Sequence, residues 1–158
     1  MFPGSGFLRM FGIGLVAGLR SMTAPAVVAW AAHLGWIDLS GSPLAFMASL
    51  WTVGILTVGA LAELVADQLP ATPARTAPGP LSFRIVMGLL TGACLGIGGG
   101  GSLWAGAAIG AVGAIAGSFG GYQARVGLVR ALRLPDAAIA VPEDLIAIGL
   151  GLLLVFKF

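Results

Sequence analysis

Arg20 lies inside the apolar run Gly12-Ile-Gly-Leu-Val-Ala-Gly-Leu-Arg-Ser-Met-Thr-Ala-Pro-Ala-Val-Val-Ala-Trp30, and Glu63 and Asp67 close another at 44–68. A charge at the centre of a membrane-spanning helix costs roughly 2.5–3.5 kcal/mol on insertion scales, so one that persists lines a cavity or pathway, or pairs with a neighbour. The chemistry on offer is therefore the binding or passage of an ion or small solute, or the formation of buried ion pairs.

Arg20 comes with Ser21, Thr23 and Pro25. Proline lacks a backbone donor and clashes one turn back, so a kink or break is expected across residues 20–24. If a second half-helix starts near Thr23, its amide end and the Arg20 guanidinium both favour an anion or a carboxylate. The alternative is that Arg20 pairs with an acid on the next segment and only fixes packing.

Glu63 and Asp67 are spaced i,i+4 and share one helix face. Two neighbouring buried carboxylates repel, which suits a shared proton, and so a proton relay or a cation site. They also stand just before Gln68-Leu-Pro70, where the helix must end, within reach of Arg20, Arg75 or Arg84 as partners. Glu143 and Asp144 follow Pro142 and read as the first turn of the last segment, where acids favour the helix dipole by about 0.3–1 kcal/mol. Gln123 and Arg125, with Tyr122, form a further polar cluster, although an arginine there can also snorkel to the membrane surface. The candidate pathway is thus Arg20, Ser21, Thr23, Glu63, Asp67, Arg84, Gln123, Arg125, Glu143 and Asp144.

These side chains need elements to carry them. A helix crossing the hydrocarbon core takes about 20 apolar residues. Five segments approach this: A (7–36), B (44–68), C (82–97), D (103 to about 125 or beyond) and E (143–156). Ser42-Pro43 reads as cap and first turn of B, and Pro142 as first turn of E. Residues 70–80, with four prolines, read as a loop. The fold expected is all-α: one transmembrane domain over 1–158, about five spans, at least one of them broken. Arg9 before an apolar stretch and Ala24-Pro-Ala26 imitate a signal peptide, but Arg20 in the processing region argues for a retained first helix.

Five spans place Arg9, Arg75, Arg84, Arg130 and Arg133 on one side and Lys157 on the other. The positive-inside rule then puts the N-terminus in the cytoplasm and the C-terminus outside. Trp30, Trp36, Trp51 and Trp104 fall toward the outer half as an aromatic belt, with His33 an interfacial residue among them. Segments A and D are both glycine-rich, with Gly14/Gly18 before Arg20 and Gly117/Gly121 before Gln123 and Arg125, and each is followed by a segment carrying two acids. Three spans separate them, so an inverted repeat is expected, about 7–97 and about 103–158. The stripes Gly88/Gly92/Gly96 and Gly113/Gly117/Gly121 predict close helix packing, within the chain or between subunits of a homo-oligomer.

Composition narrows the function classes. Hydrophobic residues make up 58% and charged residues 9%, with a mean hydropathy of +1.03; soluble domains carry about 25% charged residues. The net charge of +2 includes no basic cluster interleaved with aromatics, so no nucleic-acid partner is expected. Cys94 is the single cysteine and reads as a small buried hydrophobe. No Ser/His/acid set, H-E-x-x-H or Cys/His cluster occurs, and 98–101 lacks the strand and Lys-Ser/Thr of a phosphate loop. No enzyme activity, metal or cofactor is expected.

Gly18-Leu-Arg-Ser-Met-Thr-Ala-Pro-Ala26, Glu63-Leu-Val-Ala-Asp67 with Pro70, Pro73 and Arg75, Pro78-Gly-Pro-Leu-Ser82, and Pro142-Glu-Asp-Leu-Ile-Ala-Ile-Gly149 resemble a family of small bacterial membrane proteins known as domain of unknown function 4126. The resemblance covers nearly the whole chain. It implies a bacterial inner-membrane protein and supplies no activity. The residues themselves point to a small transporter or channel for a solute or ion, with Arg20 as substrate or gating charge and Glu63/Asp67 as proton or cation partner. The other class is a non-transporting assembly or lipid-interacting protein whose buried charges are structural pairs.

Overall fold

A computed structural model describes residues 3–69 and 74–156, so Pro70, Pro73 and Lys157 lie outside the described residues. Among the described residues there are six α-helices and no strand: α1 (Pro3–Leu19), α2 (Thr23–His33), α3 (Leu50–Ala66), α4 (Pro78–Gly98), α5 (Leu103–Leu132) and α6 (Asp136–Val155). A short 3-10 turn, Ala45–Ala48, precedes α3. Helices α4, α5 and α6 are long and apolar enough to cross a bilayer, and α1 and α3 are shorter apolar helices.

Segment A is broken where Pro25 predicts. Continuing α1 would set the Pro25 ring against the carbonyl one turn back, so α1 stops at Leu19 and α2 begins at Thr23, with proline in its first turn. The break is a reversal. Val16, before it, and Val27, after it, both lie beside Gly151 of α6. Segment A is therefore a helical hairpin whose tip is Arg20-Ser21-Met22, and not one broken span.

Contacts along the other helices fix their directions. Phe11 and Leu15 of α1 meet Gly113 and Gly117 of α5 in rising order, so α1 and α5 run parallel. Gly88 meets Gly110 and Gly96 meets Gly106, so α4 and α5 are antiparallel. Ser21 and Met22 reach Glu63 while Trp30 reaches Thr57, so α2 and α3 are antiparallel. Gly12 meets Leu154 and Arg20 meets Asp144, so α6 opposes α1. The six helices alternate in direction. The described N- and C-terminal ends share one end of the bundle, where Trp36 packs edge-on against Phe156 at 5.2 Å.

Two expectations fail on these directions. Segments A and D were to run in opposite senses, but α1 and α5 are parallel, so the inverted repeat of 7–97 and 103–158 has no support in the helix directions. The glycine pairs that made A and D look alike are two faces of one interface. A Cβ on Gly14 would collide with the Gly110 carbonyl, and one on Gly117 with the Leu15 carbonyl. On its other side α5 meets α4 in the same way, through Gly88, Gly92 and Gly96 against Gly106 and Gly110. The stripes are used inside the chain, which removes them as an argument for a homo-oligomer.

Several boundaries also move. Ser42-Pro43 does not start α3; its cap is Ser49, whose hydroxyl accepts from the Trp51 amide. The residues 78–80 are not loop, because prolines in a first turn lose no helical bond, and α4 starts at Pro78. Pro142 sits inside α6, whose N-cap is Pro135. Glu143 and Asp144 are thus mid-helix, and the dipole explanation for them is withdrawn.

Candidate functional site

The reversal in segment A leaves two loose ends inside the packed bundle: the carbonyls that close α1 and the amides that open α2. Unsatisfied groups of this kind cost several kcal/mol each in hydrocarbon. The chain answers with opposite charges. Glu63, from the last turn of α3, accepts from the Ser21 amide at 2.8 Å and hydroxyl at 2.5 Å through Oε1, and from the Met22 amide at 2.8 Å through Oε2. A carboxylate there matches the positive end of α2. Arg84, from α4, donates through Nη1 to the Gly18 carbonyl at 2.9 Å, and the Ser118 hydroxyl reaches the same oxygen at 3.4 Å. Arg84 Nη2 stands 3.7 Å from Glu63 Oε1.

Arg20, at the tip, is fully buried. Its Nη1 donates to Asp67 Oδ2 at the end of α3, and its Nη2 is ion-paired with Asp144 Oδ1 on α6. One guanidinium thereby ties the hairpin to two other helices, using the planar fork that lysine lacks. A second group lies alongside. Arg75, from the linker between α3 and α4, pairs with Glu143 Oε1, and Arg125 Nη1 lies 3.5 Å from Glu143 Oε2. Arg125 also grips Asp136 in a bidentate pair at 2.8 and 2.5 Å.

Of the predicted residues, the structure gathers Arg20, Ser21, Glu63, Asp67, Arg84, Arg125, Glu143 and Asp144 into this layer; Thr23 is buried beside it as the first residue of α2. Gln123 is exposed and outside it, because its helical position points away from the face that carries Gly121 and Arg125. Arg20 pairs with Asp67 and not with Glu63, which the α2 amides occupy. Arg125 is bound by two acids and does not snorkel. Two members escaped the sequence reading. Arg75 stood as a partner for Glu63 or Asp67 but crosses to α6, and Asp136 was passed over as linker. Its spacing from Arg125 across a turn at Pro135 is the signal that could have found it.

The layer is electrically even: Arg20, Arg75, Arg84 and Arg125 face Glu63, Asp67, Glu143 and Asp144, all little exposed, with Asp136 at the open rim. Its hydrogen bonding is not complete, since Arg20 Nε and Arg84 Nε are buried without an acceptor. Beyond it the bundle is apolar and packed, around Ile13, Val16, Val28, Met47 and Leu95, with Cys94 buried among them. The four tryptophans lie at that far end, Trp51 and Trp104 about four-fifths exposed. His33 is there too, its Nδ1 2.9 Å from the Ala48 carbonyl oxygen. In the far-end loop Asp38 accepts from the Ser40 hydroxyl and amide, which hold its carboxyl below the usual carboxylate range. Among the described residues no three His, Cys, Asp or Glu side chains converge as metal ligands.

The chain belongs to the family described as a domain of unknown function (DUF4126), which it matches over residues 7–157. No curated protein and no solved structure matches it. It is a membrane-type helical protein whose buried charges form salt bridges.

Proposed function

We propose that this chain is a small transporter or channel for an ion or small solute in a bacterial inner membrane, with the layer of ion pairs around Arg20 as its titratable site. The observation that carries the reading is the buried helix reversal at Arg20, flanked by ion-paired charges; interrupted helices that bring charges together are also how many secondary transporters build a binding site. Two unlike kinds of packing meet at that layer. Helices α1, α4 and α5 are packed backbone to backbone through glycine, whereas α2, α3 and α6 are attached by side chains. The pairs Arg84–Glu63, Arg20–Asp67 and Arg20–Asp144 straddle the boundary, so a proton or ion that loosens one pair frees the attached helices to shift. The reaction class is passage without covalent chemistry, and no enzyme activity is assigned.

Arginine placement supports an orientation. Arg75, Arg84, Arg130 and Arg133 stand at the charged end and Arg9 toward the other, so the positive-inside rule places the charged end in the cytoplasm. Because segment A doubles back, both described ends of the chain then face outward, which reverses the position expected for the N-terminus.

A second reading has its own observation. Four guanidinium groups face four carboxylates, all of them little exposed, as a purely structural lock requires. Proteoliposome flux decides between them, with protons, monovalent and divalent cations and small anions as the probes. Asp67→Asn keeps the side chain's shape and removes its charge. The transporter reading expects flux that depends on pH in the unaltered protein and is lost in this variant while the fold survives. No flux of any probe, with Asp67→Asn lowering stability, leaves the structural lock.

A further inference from the structure

Charge is not shared out evenly within the layer. Arg84 answers one carboxylate, Glu63, and Arg75 and Arg125 together answer two, Glu143 and Asp136. Arg20 answers two by itself: Nη1 meets Asp67 and Nη2 meets Asp144. With both acids ionised, this group carries one negative charge in excess. Little water reaches it, since the guanidinium is fully buried and the two carboxyl side chains are only 14% and 11% exposed.

The neighbouring cations are committed elsewhere. Arg84 is engaged by Glu63 and the Gly18 carbonyl, Arg75 by Glu143, and Arg125 by Asp136 and Glu143. The nearest acids add to the excess, because Glu63 stands one turn before Asp67 and Glu143 directly precedes Asp144. Asp67 also forms the C-terminal cap of α3, where the helix dipole opposes a negative charge. A carboxylate left unmatched away from water escapes that cost by taking up a proton.

We infer that Asp67 and Asp144 hold one proton between them on Arg20, so that the guanidinium is ion-paired to one helix at a time. Uptake forms a single O–H bond on a carboxylate oxygen at the expense of a hydronium ion, and release reverses it; no electron is transferred. With the proton on Asp67 the hairpin tip is held to α6, and with the proton on Asp144 it is held to α3. Glu63 is not the second carboxyl, despite its i,i+4 spacing from Asp67, because the amides of Ser21 and Met22 occupy it. Use of this proton in transport rests on the function proposed above; its presence does not.

Infrared absorption of the purified chain at pH 7, in a maltoside detergent free of ester carbonyls, reads the proton directly. A protonated-carboxyl band that shifts in D2O is expected, with the intensity of one group. Asp67→Asn and Asp144→Asn should each abolish it, since the remaining acid then pairs with Arg20 as a carboxylate, and Glu63→Gln should keep it. Each single aspartate variant should melt within about 4 °C of the unaltered protein, a small shift for a chain of this size. The double variant leaves Arg20 with no carboxylate and should lose more than twice the sum of the two. If one single variant does not fold, the other reads the same proton. Absence of the band in the unaltered protein, its survival in either aspartate variant, its loss in folded Glu63→Gln, or failure of both aspartate variants to fold overturns the inference. A band with no flux of any probe supports the proton and removes the transporter reading; flux without a band does the reverse.

Discussion

Glu63 and Arg84 hold the two ends of one interrupted segment: Glu63 takes the amides that open α2, Arg84 the carbonyl of Gly18 near the end of α1, and their own charges stand 3.7 Å apart. The reversal is thus stabilised from outside segment A, by α3 and α4. Each charge complements the helix terminus it meets and also the other charge.

Glu63→Ala removes the acceptor of two backbone amides and leaves Arg84 without its carboxylate. Breaking a buried pair from one side costs about 3–5 kcal/mol, and that loss is expected in reversible unfolding in mixed micelles. Glu63→Gln keeps one acceptor oxygen and should lose less. Equal stability of Glu63→Ala and the unaltered protein would remove the capping role.

Arg20→Lys should not rescue Arg20→Ala. A single ammonium cannot present the two-pronged fork that reaches Asp67 and Asp144 on different helices. Both variants are expected to fall in yield and thermal stability by comparable amounts. Full recovery with lysine would show that charge alone suffices.

Glycine substitutions separate packing from composition. Gly92→Ala and Gly110→Ala each place a methyl against backbone of the facing helix, whereas Gly54 and Gly149 have open space. Overpacking of this kind costs about 1–3 kcal/mol, while alanine in an open helical site gains up to about 1 kcal/mol. Unfolding of the four single variants should rank them in these two groups; a mixed order would contradict the helix pairing.

Topology can be read directly. Single cysteines at Gly4 and Phe156, in a Cys94→Ser background, should react with an impermeant maleimide from one side of oriented vesicles, and one at Ala131 from the other. Labelling of positions 4 and 156 from opposite sides would undo the hairpin in segment A.

The sequence exposes the site better than the path of the chain. Charge in apolar runs is visible without structure, and Pro25 locates the break, so nearly all of the layer can be named in advance. What proline does not reveal is the angle at which the chain continues. A kink and a reversal break the same hydrogen bonds, and the choice rests on Val16 and Val27 both packing on Gly151, over 120 residues away in sequence from either. The reading of segment A as a single pass then carried into the orientation and the repeat. Pro142 misled in a similar way: inside α6 its missing donor is tolerated, where the sequence suggests a start.

Arg20 also sets an order on biogenesis. The hairpin tip leaves the ribosome long before its partners, with 47 residues separating it from Asp67 and the whole of α4 and α5 still to come before Asp144. Until α3 arrives the guanidinium must wait at the membrane surface or in the insertion machinery, and its second carboxylate comes only with the last helix. A chain truncated before α6 would therefore lack Asp144 and carry a tip secured only through Asp67.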